Sequence, residues 1–197
     1  MSTQFNDLQL DALRELANIG SGTASTALST MLGRAVDISV PTAAALPFAE
    51  AVDAVGPAER LVTGVVIGVN GDMQATVLLL LGTGDAATIC SLLGVDPDDE
   101  MAASALGEIG NIVGTSYINA LGAMTGLEME PEPPQSATDM LSAIVATVLA
   151  GRASGDDIAL VLDSDLTVEG EDCSMSFLLV PSQGGVQELL TRLGLGD

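Results

Sequence analysis

Two carboxylate–carboxamide pairs stand out because they recur in one register. Glu15 and Asn18 lie three residues apart, and Glu108 and Asn111 repeat that spacing 93 positions further on. Asp11 precedes Glu15 by four residues, as Ser104 precedes Glu108. Spacing of i, i+4 and i+7 puts such a row on one stripe of an α-helix. A carboxamide both donates and accepts hydrogen bonds, so it can orient a water, and a neighbouring carboxylate can pair with a cation on a partner. After each Asn, 22 residues intervene before a proline, Pro41 and Pro134. A solvated helix face accounts for some polar residue at each position. It does not account for Glu, Asn and Pro twice at one offset.

The elements carrying these residues are themselves duplicated. Leu13, Ile19, Ala27, Leu28, Met31 and Gly33 match Leu106, Ile112, Ala120, Leu121, Met124 and Gly126 at the same offset, an internal repeat. The periodicity predicts amphipathic helices over Asn6–Leu32 and Asp99–Thr125, with Leu10, Leu13, Ala17 and Ala24 on the apolar side of the first. Gly33 and Gly126 stand where C-caps are wanted. Short extended segments follow at Ala35–Val40 and, more weakly, Leu127–Glu130, then helical stretches near Phe48–Val55 and Thr138–Ala150. Hairpins come next: Leu61–Val69 and Met73–Leu81 around Asn70-Gly71, and Ile158–Val168 and Cys173–Val180 around a turn at Glu169–Asp172. Each half closes with a short helix, Ala86–Leu93 and Val186–Leu193. The expected fold class is α+β: an α-β-α-β-β-α unit used twice about a pseudo-two-fold axis, giving six strands with long outer helices. The apolar runs Val77–Leu81 and Phe177–Val180 read as central strands buried on both faces. The Pro/Glu-rich stretch Glu128–Gln135 reads as a loop. Residues 1–197 are expected to form one domain of two homologous halves, about 1–95 and 96–197.

Composition removes most alternatives. The chain of 197 residues holds 27 Asp+Glu against 5 Lys+Arg, a formal charge of −22, and all five cations are Arg. Such a surface repels phosphate backbones, and aromatics at 2% supply no stacking platform, so no nucleic-acid partner is expected. The absence of His excludes imidazole bases and His–metal sites, and the absence of Lys excludes Schiff-base chemistry and a P-loop. Cys90 and Cys173 form no CxxC or zinc quartet and read as buried thiols. Hydrophobic residues at 48% exclude an acidic disordered tail. Acid excess without Lys resembles proteins of salt-loving organisms, where ~1 M salt shortens the screening length to ~3 Å. The N-terminal residues show no basic start and apolar core, and no apolar run reaches ~18 residues, so a cytoplasmic chain without membrane insertion is expected.

The pattern Asp/Ser-x3-Glu-x2-Asn-x22-Pro, present as Asp11-Glu15-Asn18-Pro41 and Ser104-Glu108-Asn111-Pro134, resembles the CheC family of chemotaxis phosphatases. The segment LQLDALRELANIGSGTASTALSTMLGR from Leu8 looks like that family's first helix, and the likeness covers nearly the whole chain. Two complete copies look like two-site CheC rather than single-site CheX. Nothing like the extra switch-binding domain of the flagellar-switch relative FliY follows. The resemblance implies dephosphorylation of the response regulator CheY without a covalent phosphoenzyme. Asn18 and Asn111 would orient a water towards the aspartyl phosphate, and Glu15 and Glu108 would pair with a Lys of the regulator. Asp11 and Ser104 would support docking, and Pro41 and Pro134 would be positional. It further implies no cofactor or metal on this chain, with Mg²⁺ held in the regulator's own pocket, and a monomer as the working unit. An alternative is a non-catalytic adaptor binding phosphorylated CheY or the receptor deamidase CheD. A weaker one is a structural component of the motor switch.

Other clusters point nowhere comparable. Asp96–Glu100 reads as a cap and acidic first turn of the second long helix. Asp163 and Asp165 begin something like a calcium loop, but Val168 replaces its required Gly.

Overall fold

The computed structural model describes residues 6–149, 158–168, 170–182 and 184–195. Among them the order is α1 (Asp7–Leu32), β1 (Val36–Pro47), α2 (Phe48–Val55), β2 (Leu61–Gly71), β3 (Ala75–Gly82), α3 (Thr83–Leu92), α4 (Met101–Thr125), β4 (Met129–Pro131), β5 (Gln135–Met140), α5 (Leu141–Leu149), β6 (Ile158–Val168), β7 (Glu171–Pro181) and α6 (Gly185–Arg192). Each predicted helix and hairpin has its counterpart, but Thr138–Met140, expected to open the second repeat's middle helix, extend strand β5, which pairs with β2. The expected helix end at Ala150 and turn residue Glu169 lie outside the described residues.

Local chemistry sets the ends of the long helices. Asn6 Oδ1 accepts from the Gln9 backbone N–H at 3.0 Å and Gln9 Oε1 accepts from the Asn6 N–H at 2.9 Å, a reciprocal capping box. Gly33 (φ 63°) and Gly126 (φ 72°) end α1 and α4 in the left-handed conformation that costs a glycine little. The Asp96–Glu100 run behaves differently from expectation. Its acids precede α4, whose first turn has none, and only Asp99 caps, accepting from the Met101 N–H at 2.9 Å. Two consecutive Asx-type turns, with Asp96 Oδ1 taking the Asp98 N–H at 3.0 Å, use up the acids before the helix begins.

The strands form one antiparallel sheet in the order β1-β6-β7-β3-β2-β4, with β5 also on β2. The six expected strands become seven because the second repeat's first strand is broken between Pro131 and Gln135; the segment read as a loop contains β4 and the start of β5. A further difference concerns Asn70-Gly71. The β2–β3 ladder closes at Val69↔Ala75, while Asn70 and Gly71 pair with Glu130 and Met129 of β4. The dipeptide is held in the ladder by a strand from the other repeat, so the hairpin loop is longer than two residues.

That exchange is general. β1 of the first repeat pairs with β6 of the second, and β4 and β5 of the second pair with β2 of the first. Each repeat's first strand thus completes the other repeat's hairpin. β3 and β7 are central, as their apolar runs require, with Val77 and Leu79 facing one core and Leu78 and Leu80 the other. The larger core lies under α1, α4, α3 and α6; the smaller lies under α2 and α5. The alternating strand directions run α1 and α4 antiparallel, each flanked by the strand that follows it.

Candidate active site

Helix α1 buries Leu13, Leu16, Ala17, Ala24 and Leu28, which turns Asp11, Glu15 and Asn18 outwards. On α4, Leu106, Ile109, Val113 and Tyr117 are buried, and Ser104 and Glu108 are exposed. Asn111 is half-buried. The structure therefore brings both predicted rows to the surface, each along one helix.

The x22 spacing has a geometric cause. Gly33 reverses the chain, and β1 returns along α1: the Val36 N–H donates to Ser29 Oγ at 2.9 Å and the Ile38 N–H to Ser25 Oγ at 3.0 Å. Two strand residues thus match four helix residues, as rises of ~3.3 Å and ~1.5 Å dictate. Carried three residues further, β1 brings Pro41 level with about residue 18 of α1. In the second repeat Ser136 Oγ donates to the Ala103 carbonyl at 3.0 Å, and the same pitch sets Pro134 level with about Gly107 and Glu108.

Both prolines stand at a break in their ladder rather than at its end. Ser39 pairs with Asp165 and Thr42 with Asp163, so Val40 and Pro41 oppose Ser164 alone. Pro131 pairs with Val69 and Gln135 with Val66, so residues 132–134 oppose two residues of β2. Each is a bulge of one extra residue, the place where a sheet tolerates a proline. The bulge releases the backbone beside each Asn from the sheet.

The two sites differ in detail. Asp11 Oδ1 accepts from Arg14 Nη1 at 2.6 Å, which leaves Glu15 as the exposed carboxylate without that neighbour's charge. Gly107 replaces Arg14 in the second repeat, so Ser104 needs no such pairing. Thr115 Oγ1 donates to Asn111 Oδ1 at 3.4 Å, and the oxygen's second lone pair stays open to another donor. Gly22 stands at the matching place beside Asn18. One pair of residues was not anticipated from the sequence: Leu8 and Met101, at matching positions one turn before Asp11 and Ser104, are each 65% exposed. An apolar residue on the polar stripe in both copies was the available signal.

The prolines stand at opposite edges of the sheet, Pro41 on β1 and Pro134 between β4 and β5. At ~4.8 Å per strand the edges are ~24 Å apart.

The sequence profile of the CheC-like family matches residues 8–44 and 101–137, one stretch per repeat, each running from the long helix through its proline. Over 196 residues the chain is 30% identical to the CheY-P phosphatase CheC of Bacillus subtilis, covering 94% of both chains. The chain belongs to the CheC-like family. Among solved structures, FliY of Thermotoga maritima superposes with a TM-score of 0.78 at 22% identity, covering 98% of this chain and 99% of that one. The CheX–CheY–BeF₃–Mg²⁺ complex of Borrelia burgdorferi gives 0.51 at 16% identity over 86% of this chain and 97% of that one. These two likenesses show that the CheC-like fold is shared.

Nothing else among the described residues competes with these helices for chemistry. No group of three or more His, Cys, Asp or Glu is placed to hold a metal ion, which removes the calcium-loop reading of Asp163 and Asp165. Those acids instead accept from Ser176 Oγ (2.8 Å) and Ser174 Oγ (3.1 Å) across the β6–β7 ladder. Both cysteines are free and buried, as expected. Burial raises the Cys90 thiol, and burial with the charges of Asp85, Glu171 and Asp172 pushes Cys173 up to about 11. Neither is a thiolate nucleophile at neutral pH. No helix among the described residues is long and apolar enough to cross a membrane.

Proposed function

We propose that this chain dephosphorylates a CheY-type response regulator by positioning a water for attack on its aspartyl phosphate. The carrying observation is the duplicated, outward-facing Glu–Asn stripe, level in both repeats with a bulged proline, in a CheC-like chain. The naming of the Bacillus subtilis relative as a CheY-P phosphatase supports the same reading.

The regulator docks on the outer face of α1 or α4. Glu15 or Glu108 pairs there with a lysine beside the phosphorylated aspartate. In concentrated salt an exposed pair contributes little, so docking must exclude water from it. The carboxamide of Asn18 or Asn111 accepts a hydrogen bond from a water and holds its oxygen in line with the phosphorus–carboxylate bond, and the water's proton stays with the phosphate released. Attack forms the new P–O bond, and the aspartate carboxylate leaves with the electrons of the old one. An acyl phosphate is already reactive, so orientation supplies much of the acceleration. Mg²⁺ is supplied by the regulator, and this chain contributes no cofactor. Asp11 and Ser104 line the docking face, and the prolines keep the strand clear of the Asn. With one site on each long helix, a monomer accommodates two regulators, in the cytoplasm.

The test is to mix the protein with a phosphorylated CheY-type regulator and Mg²⁺ in concentrated KCl and follow the phosphate. Faster decay that survives Asn18→Ala or Asn111→Ala alone and vanishes in the double variant supports the proposal. Full activity in the double variant overturns it. A stable complex without faster decay favours the adaptor reading, with CheD as the second partner to try.

A further inference from the structure

Beside the second site α3, residues 97–99 and the start of α4 enclose, with β2 and β5, a cavity of about 430 Å³. Ala86, Cys90, Ala103 and Leu106 line it, together with the hydrogen-bonded pair Thr63–Thr138 (2.8 Å). Exposed Asp98 and Asp99 lie on its open side.

At the first site the matching described positions carry other side chains. The ends of α3 and α6 match residue for residue: the Val95 N–H bonds to the Cys90 carbonyl at 2.9 Å, and the Leu195 N–H to Leu190 at 2.8 Å. Cys90 therefore corresponds to Leu190, and Ala86 to Val186. The sheet register pairs Thr63 with Thr138 as it pairs Leu160 with Ala45, so Leu160 takes the place of Thr63. The repeat offset sets Leu10 where α4 has Ala103. At each of these four places the first site carries the larger apolar side chain. Among the described residues, the cavity that Leu13, Leu160, Val186 and Leu190 line there with Leu121 and Met124 is about 10 Å³.

The cavity is continuous with the second docking face. Ala103 on its wall directly precedes Ser104, and Ser136 on its wall bonds to Ala103 and lies two residues after Pro134. We propose that this cavity receives a bulky apolar side chain of the regulator docked at the second site, carried next to a basic residue that meets Asp98 and Asp99. At the first site Leu10, Leu160, Val186 and Leu190 occupy the matching places, so the two faces of one chain bind the regulator with different affinities. This inference rests on the reading that both faces dock a response regulator. The small side chains leave room for the guest, Ala86, Ala103 and Leu106 give it apolar contact, and the acidic side supplies charge complementarity.

The test uses a beryllofluoride-activated CheY-type regulator with Mg²⁺, titrated calorimetrically in concentrated KCl. Glu15→Lys leaves only the second face open, and Glu108→Lys only the first. Adding Cys90→Leu, which copies Leu190 into the cavity, is expected to raise Kd by ~10-fold in the Glu15→Lys chain and less than ~2-fold in the Glu108→Lys chain. Ala103→Leu, at an exposed wall position, carries the same test should Cys90→Leu fail to fold. An unchanged Kd in the Glu15→Lys chain, or an equal change in both, overturns the proposal. If the regulator binds in this pattern but its phosphate decays no faster, the catalytic reading fails while the role of the cavity stands. If the Glu15→Lys chain binds no regulator at all, the docking reading fails and takes this proposal with it.

Discussion

Gly20 and Gly22 both lie inside α1, two residues apart, and the structure assigns them opposite responses to the same substitution. A Cβ on Gly22 would meet nothing within 4 Å. A Cβ on Gly20 would lie inside the ring of Tyr117 on α4, 2.7 Å from Cε1 and 2.9 Å from Cγ. That ring cannot swing aside freely. Its centroid is 4.6 Å from that of Phe177, and its hydroxyl is 3.4 Å from Ser164 Oγ. Replacing a helical glycine by alanine gains ~1 kcal/mol of backbone entropy and propensity where space allows. Overpacking at a closed contact costs ~1–3 kcal/mol. Gly22→Ala is thus expected to stabilise by up to ~1 kcal/mol, and Gly20→Ala to destabilise by ~1–2 kcal/mol. For a chain of this size a gap of ~2–3 kcal/mol separates the melting temperatures by ~5–10 °C. Thermal unfolding followed by circular dichroism in concentrated KCl reads that gap directly. Relief of the contact requires α1 to move off α4 by ~1 Å, and misplacements of that size cost ~100-fold in rate. Activity of Gly20→Ala at the first site, measured with Asn111→Ala present, should therefore fall well beyond its loss of stability. Equal melting temperatures for the two variants would refute the claim that Gly20 sets the α1–α4 separation.

Four further outcomes follow from the same structure. The Asn18→Ala, Asn111→Ala pair should lose all regulator dephosphorylation while each single change keeps part of it, as phosphate-release kinetics will show; synergy of any other kind contradicts two separate sites. Leu8→Ala and Met101→Ala should each raise KM several-fold at their own site with kcat little changed, because a largely exposed apolar side chain on a docking face gains burial only in the complex. With a net charge of −22, dilution of the salt lengthens the screening distance and should unfold the chain, seen as loss of helical circular dichroism; an unchanged spectrum after desalting rules this out. Cys173 has a folded pKa of about 11 against an ordinary 9.0, so its contribution to stability is complete below pH 9 and lost as pH rises towards 11. Cys173→Ala should flatten that part of the stability–pH curve, and an identical curve in denaturant titrations would count against it.

The Glu and Asn rows were legible because helical periodicity is local. Leu13, Ala17 and Ala24 fix which way α1 faces the core, and everything on the opposite stripe is then exposed. The duplication made them conspicuous, since two copies in register test each other. Pro41 was legible as a spacing but not as a bulge, because a bulge depends on what the partner strand does, and that partner, β6, lies more than a hundred residues away. Asn70-Gly71 misled for the same reason: its turn propensity is local, and β4 of the other repeat overrides it with ladder hydrogen bonds.

The sequence by itself determined the two long helices, their glycine C-caps, the pair of polar stripes and the exclusion of imidazole and lysine chemistry. Those follow from residue types and from contacts within a turn or two of the chain. Only the tertiary structure decided that the repeats exchange edge strands and that the strand of each repeat returns along its own Glu–Asn stripe. It also decided that the repeats are unequal, since a cavity beside one site is filled at the other by Leu160, Val186 and Leu190. Space between elements is the sum of many side chains brought together from distant parts of the chain, and no periodicity along the sequence reports it.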